Sequence, residues 1–344
     1  MTPPAIRRDI EIPFAHGQSA HCETGVVSNL LRHRGLALSE PMVFGIGAGL
    51  VFAYLPFVKL NNLPLISFRT APGRIFAKAA KRLGLSIRRL RFPDEGSAMA
   101  ELDRVIESGT PAGLQVGAFH LTYFPRALRF HFNMHNIVVY GRRNGSYLIS
   151  DPVMPEVTEL TADDLARVRF ARGPMAPKGC LYHPVDLPSR LDLPGPVTAG
   201  IRETCTIMLR APLPLIGVRG IRFLAGRLER WPERLGEEKA LLTLGHFIRM
   251  QEEIGTGGAG FRFIYASFLQ EAAGLLGNDH LAEISVKMTG VGDLWREFAL
   301  LGARHCKGRG GHSFADLSEL LRACADGEEA VFRELRSAIR QCHG

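Results

Sequence analysis

Three residues of this chain, Cys22, His135 and Asp151, are of the types that together turn a thiol into a nucleophile, and they occur in the order cysteine, histidine, carboxylate. Cys22 sits in GQSAHCETGVVSNLLRHRG, residues 17–35. Beyond it Val26, Val27, Leu30 and Leu31 fall three and four apart, and Gly35 supplies a stop, so the spacing predicts a helix that begins at or just after the cysteine. At a helix N-terminus the dipole and the unpaired amides stabilise a thiolate, the reactive form of the residue. His135 opens and Asp151 follows a second segment, HNIVVYGRRNGSYLISDP, which reads as two strands around a turn at Asn144 and Gly145. A two-residue turn would pair Asp151 with Val138 and send it to the face opposite His135. A three-residue turn of Arg143, Asn144 and Gly145 pairs it with Ile137 instead, leaving the two side chains diagonal on one face about 7–8 Å apart at the backbone. In such a constellation His135 takes the thiol proton and Asp151 fixes its orientation. Gln18, four residues before the cysteine, would donate to an oxyanion together with the Cys22 amide. Taken singly, each residue reads as a core or turn residue; their joint order carries the catalytic expectation.

The elements that must position these residues divide at a proline-rich stretch. Residues 183–197, HPVDLPSRLDLPGPV, have prolines at 184, 188, 194 and 196 and read as a linker. Upstream, over residues 1–187, helical patterns mix with β-branched runs such as IVVY and YLIS; downstream, over 197–344, nearly every segment has helical period. The expected fold class is therefore α+β, a papain-like cysteine domain followed by an all-α domain. The downstream helices are expected at about 198–210, 217–231, 236–254, 260–276, 279–289, 291–306, 313–325 and 327–341.

Other features bound the function. The net charge of +8 lies entirely in residues 1–190, which suits an acidic protein partner; no nucleic-acid motif accompanies it. The uncharged stretch from Pro41 to Val58 contains Gly45, Gly47, Gly49 and Pro56, which argues against a membrane span. FGIGAGLVF, residues 44–52, lacks the lysine and hydroxyl of a phosphate loop and reads as close backbone packing or the wall of an acyl channel. GTGGAGF, residues 255–261, precedes an expected helix, and Gly257, Gly258 and Arg262 would form an anion site for a phosphopantetheine phosphate. Gly217 to Trp231 reads as a basic amphipathic helix. His131 and His135 are four apart, but that spacing serves a metal on a helix, not at a strand start, so no metal is expected. The N-terminus lacks the apolar run of an export signal, and the six cysteines form no CxxC pair, so free thiols in the cytoplasm are expected.

The run AHCETGVVSNLLRHRGLALSEPMVFGIGAGLVFAY, then HNIVVYGRR and YLISDP, resembles the N-terminal domain family of butirosin biosynthesis protein H. EEIGTGGAGFRFIYASFLQEAA resembles the helical domain of unknown function that commonly follows it. The resemblance implies a papain-like fold and transfer of an acyl group from a carrier-protein thioester to an amine of a small molecule. The donor would be a phosphopantetheine thioester on an acidic acyl carrier protein or on coenzyme A, with no cofactor held by the enzyme. Papain-like peptidases usually place the oxyanion glutamine six residues before the cysteine, and Gln18 departs from that. The N-terminal pattern also resembles double-glycine leader peptidases. A hydrolase, peptidase or thioesterase, and a binding module without turnover thus stand beside the acyltransferase as alternatives, and a homodimer is left open.

Overall fold

The computed structural model describes residues 8–60 and 62–341; Cys342 and the first seven residues lie outside them. The chain forms two compact units, each discontinuous in sequence: residues 1–40 with 83–191, and residues 41–82 with 192–344. The single boundary expected near residue 190 is therefore incomplete, because 41–82 joins the helices.

In chain order the elements are β1 (Ile10–Glu11), α1 (Cys22–His33), α2 (Glu40–Ile46), β2 (Leu50–Leu60), β3 (Leu63–Arg69), α3 (Arg74–Arg82), β4 (Ser86–Leu90), α4 (Glu95–Glu107) and β5 (Ala112–Val116). They continue with β6 (His135–Arg143), β7 (Ser146–Ser150), β8 (Thr158–Thr161), α5 (Ala162–Arg169) and β9 (Leu181–Asp186). The remaining helices are α6 (Pro194–Arg210), α7 (Gly217–Leu228), α8 (Trp231–Leu235), α9 (Glu237–Glu252), α10 (Arg262–Leu276), α11 (Asp279–Cys306) and α12 (Phe314–Gln341).

The first unit is an antiparallel sheet in the order β4-β9-β5-β6-β7-β8, with β1 added beside the far end of β6. Strand alternation sends Leu114, Ile137, Val139, Tyr147 and Ile149 into one core with Leu102 and Val105 of α4 and Leu165 and Val168 of α5. The other face receives α1, which packs on β5, β6 and β9 through its buried Val26, Val27, Leu30 and Leu31. Burial is not confined to that apolar stripe, since Cys22 to Leu31 are all buried; the helix ends at Arg34, followed by Gly35 with left-handed φ at the expected stop.

The β6–β7 hairpin reaches the expected outcome by another route. Its turn is the two-residue kind, with Arg143 opposite Ser146 and left-handed φ at Asn144 and Gly145 (51° and 80°). A β-bulge at Tyr140 then shifts the register, so that Val138 faces Ser150 and Asp151 follows on opposite Ile137. The extra residue supplied by the bulge does what a longer turn would have done.

The Pro-rich stretch is only in part a linker. Leu181–Asp186 is β9, and Pro184 pairs with Ile87 of β4 beside an irregularity in that ladder. Pro194 and Pro196 stand in the first turn of α6, where a missing amide costs nothing.

In the second unit the β2–β3 hairpin is packed among helices, so this unit is not purely α. Phe52 and Phe68 meet Phe247 of α9 and Trp295 of α11, with ring centroids 5.5–5.9 Å apart. The glycine-rich run 44–52 is backbone packing: a Cβ on Gly45 would strike the Phe268 ring. Two expected breaks, at Gly290 and Asp326, are absent, since α11 runs unbroken through Gly290 and Gly292 and α12 through Asp326 and Gly327. A Cβ on Gly292 would lie 2.6 Å from the Phe263 ring, so this glycine serves helix contact and not a stop. No helix among the described residues is long and apolar enough to cross a membrane.

Candidate active site

Cys22 is the first residue of α1, 6% exposed, as its place before the amphipathic stripe requires. The extended backbone leading to it is tied down from two sides. Glu40 accepts from the amides of Ala20 (3.1 Å) and His21 (2.6 Å) and from the Thr24 hydroxyl (3.3 Å). Burial pushes the Glu40 carboxyl up, against those hydrogen bonds, which favour its charge. On the other side the Ser19 amide donates to the Pro152 carbonyl (2.7 Å), and the His16 ring meets the Ser150 hydroxyl (2.8 Å) and the Met154 carbonyl (3.1 Å). These contacts lash the segment before Cys22 to the turn that carries Asp151. Gly25, one helical turn beyond Cys22, permits the approach: a Cβ there would lie 2.6 Å from the Ser19 Cβ and 2.7 Å from the Pro152 Cβ.

His135 opens β6 opposite Val116 and is 5% exposed. Its Nε2 lies 2.7 Å from Asp151 Oδ2, and its ring meets the Phe124 ring edge to face at 5.1 Å. Burial disfavours the imidazolium. The Asp151 carboxylate and then Cys22 oppose that, by charge and by hydrogen bond, and the pKa is pushed up from 6.5 to about 10. Asp151 is fully buried and held by further donors, the Tyr123 hydroxyl on Oδ2 (2.8 Å) and the Val153 amide on Oδ1 (3.0 Å). Burial, with the neighbouring Asp151 charge, raises the Tyr123 phenol well above its ordinary value, so it stays a donor.

The structure thus brings Cys22, His135 and Asp151 together and corrects the expectation for Gln18. That residue is exposed, and its side chain has no hydrogen-bond partner among the described residues. The side-chain amide that reaches the sulfur belongs to Asn136, whose Nδ2 lies 3.8 Å from Cys22 Sγ. Its orientation is fixed: Nδ2 also donates to the Met134 carbonyl (3.0 Å), and Oδ1 accepts from the buried Tyr182 hydroxyl (2.9 Å). Asn136 follows His135 directly, and that adjacency was the one signal the sequence offered for it. Tyr123 and Glu40 carried none, because their roles arise from loops folding back on the site.

The phosphate site expected at Gly257, Gly258 and Arg262 is already satisfied from within. Arg262 is fully buried, paired with Glu328 at 2.7 Å, donating to the Gly260 carbonyl and lying over the Trp295 ring. The Gly258 amide donates to the Thr256 hydroxyl, and Glu252 accepts from the Ala259 amide. A carboxylate stands where the anion was expected. The described cysteines are free thiols.

Residues 163–335 match the family model of a domain of unknown function, DUF4872, over just over half of the chain. The chain belongs to that family. Residues 21–152, which hold Cys22, His135 and Asp151, match the model described as butirosin biosynthesis protein H, N-terminal. Among solved structures, one described as a C39-like peptidase from Bacillus anthracis aligns at 13% identity, covering 52% of this chain and 98% of the other, with a TM-score of 0.36. No curated protein matches the chain. For this DUF4872 member, a cysteine opening a helix that packs on an antiparallel sheet, with histidine and aspartate at the sheet's end, is the layout of a papain-like cysteine enzyme.

Proposed function

We propose that this protein is a cysteine acyltransferase, which takes an acyl group from a phosphopantetheine thioester on a carrier protein or coenzyme A and passes it, through an acyl-Cys22 intermediate, to an amine or other acceptor on a small molecule. The observation that carries the reading is His135, held between Asp151 and Cys22 with its pKa pushed up to about 10. A ring that keeps its proton at neutral pH is the counter-ion of a thiolate.

In the first step the Cys22 thiolate attacks the thioester carbonyl; its bond to carbon forms, the donor's C–S bond breaks, and His135 gives its proton to the departing sulfur, so that the donor leaves as a thiol and the ring is left neutral. A thiolate is a better leaving group than an amine, which suits a thioester donor better than a peptide. The Asn136 amide, 3.8 Å from the sulfur, stands where an oxyanion on the attacked carbonyl would need a donor. Acylation removes the Cys22 charge, one of the two that raise the His135 pKa. The ring then becomes a base and takes the acceptor's proton as the new bond to carbon forms and the Cys22 bond breaks. The match to the butirosin biosynthesis protein H domain supports this assignment. A cytoplasmic setting would keep the nucleophile reduced.

The test is intact-mass analysis after incubation with a panel of acyl-carrier and acyl-coenzyme A thioesters. An acyl adduct is expected on the wild type and lost in Cys22→Ala and His135→Ala. Absence of any adduct, with Cys22 alkylated no faster than the other thiols, refutes the reading. An adduct that water discharges as fast with the acceptor as without it makes the protein a hydrolase.

A further inference from the structure

The second unit carries a cationic cleft with no part in the chemistry above. Arg222 and Arg227 of α7, Arg230 beyond its end and Arg234 of α8 line a cavity of about 360 Å³ together with Phe223 and Gly226. Arg222 is neutralised by Asp326 (2.5 Å) and Glu329 (2.6 Å). Arg227, Arg230 and Arg234 have no carboxylate partner among the described residues, and no acidic residue lines the cavity. Glu229, adjacent in sequence, is taken by Arg322 at 2.8 Å. One cation near the C-terminus of α7 would satisfy its dipole, and Arg227 in the last turn does so; Arg230 and Arg234 exceed that need.

The shape supports a ligand over a solvated surface. Arg227 lies 4.9 Å above the Phe223 ring, a cation–π contact that holds the guanidinium beside the cavity. Gly226 presents open space where a Cβ would stand, so a ligand can approach the helix backbone. Arg227 and Arg234 also line an adjoining cavity of about 140 Å³, whose walls include Tyr54, Pro56, Pro64 and Trp231, with Lys59 and Lys239. An arginine pair thus separates a cationic cleft from a recess with aromatic and proline walls. Together the two fall within the range of about 300–1,000 Å³ typical of small-molecule sites.

We propose that this cleft binds a small molecule bearing a phosphate or diphosphate on a flat apolar body, the chemistry of a nucleoside phosphate. Arg227, Arg230 and Arg234 take the phosphate oxygens through their paired donors, and the body lies in the recess beside Tyr54 and Trp231. An acidic peptide would use the arginines but not the recess.

Titration calorimetry on the full chain tests this with ADP, pyrophosphate, adenosine and a glutamate-rich peptide. ADP is expected to bind with a dissociation constant on the order of 10 μM, and pyrophosphate and adenosine each at least about tenfold more weakly. Arg230→Gln combined with Arg234→Gln weakens ADP by about 30-fold or more, while the melting temperature and Cys22 alkylation stay at wild-type values. Arg230→Lys with Arg234→Lys falls between, because lysine keeps the charge but not the fork. No heat with ADP at about 1 mM, or equal ADP affinity in the glutamine variant, overturns the proposal. So does binding of the peptide without ADP, which would make the cleft a protein-docking surface.

Discussion

Replacing Asp151 by asparagine keeps the shape of the buried carboxylate and removes its charge. In the wild type, burial disfavours the His135 imidazolium, and Asp151 ahead of Cys22 outweighs it to hold the pKa at about 10. With the larger opposing charge gone, the His135 pKa falls toward the neutral ring that burial favours. Without an imidazolium counter-ion the Cys22 thiolate loses its stabilising charge, so alkylation at pH 7 should slow by about tenfold or more, at least about 1.4 kcal/mol. The assay is the rate of iodoacetamide labelling of the Cys22 peptide from about pH 5 to pH 10, read by mass spectrometry. Reading the Cys22 peptide separates its rate from those of the other thiols, among which burial raises Cys306 and Cys324 and pushes Cys205 up to about 12. The wild type should keep its labelling rate to lower pH than the variant, whose profile should be displaced to higher pH. The reasoning fails if the variant labels within about threefold of the wild type at pH 7. Stability should follow the same charge. A folded-state pKa raised above 6.5 contributes stability that is fully present below 6.5 and is lost as pH rises through about 10. Wild-type melting should therefore fall across that window more steeply than that of Asp151→Asn.

Other substitutions separate the parts of the structure. Asn136→Ala should slow acyl-enzyme formation by about 10²–10³ while Gln18→Ala changes it less than about threefold, and the reverse pattern in single-turnover rates would restore Gln18 as the oxyanion donor. Gly25→Ala should cost about 1–3 kcal/mol in urea unfolding and slow Cys22 labelling, because its Cβ drives Ser19 and Pro152 away from α1; an unchanged midpoint would mean the loops yield freely. Glu328→Ala leaves the Arg262 guanidinium buried and unpaired and should cost about 3–5 kcal/mol; a loss under about 1 kcal/mol would show that water reaches the pair.

Much of the first unit was legible because its signals are local. The α1 stripe, the Asn-Gly turn and the β-branched runs each depend on neighbours within one helical turn or one hairpin. The bulge at Tyr140 left no such mark, since a bulge is settled by how the strand packs on both faces. Gln18 misled for a related reason. Distance along the chain from Cys22 says little about direction once His16 and Ser19 are bound to the 150–154 turn.

The sequence by itself determined a cysteine at a helix start, the order of cysteine, histidine and carboxylate, and the helical character of residues 197–344, because periodicity and helix ends are short-range properties. Tertiary structure alone decided that residues 41–82 join the helices, that Asn136 reaches the sulfur, that Tyr123 and Glu40 support the site, and that Arg262 faces Glu328 rather than a ligand. These depend on which apolar faces and buried charges find one another across separations of 19 to 114 residues. Such pairing is fixed by burial and charge compensation in the folded chain, which no local spacing encodes.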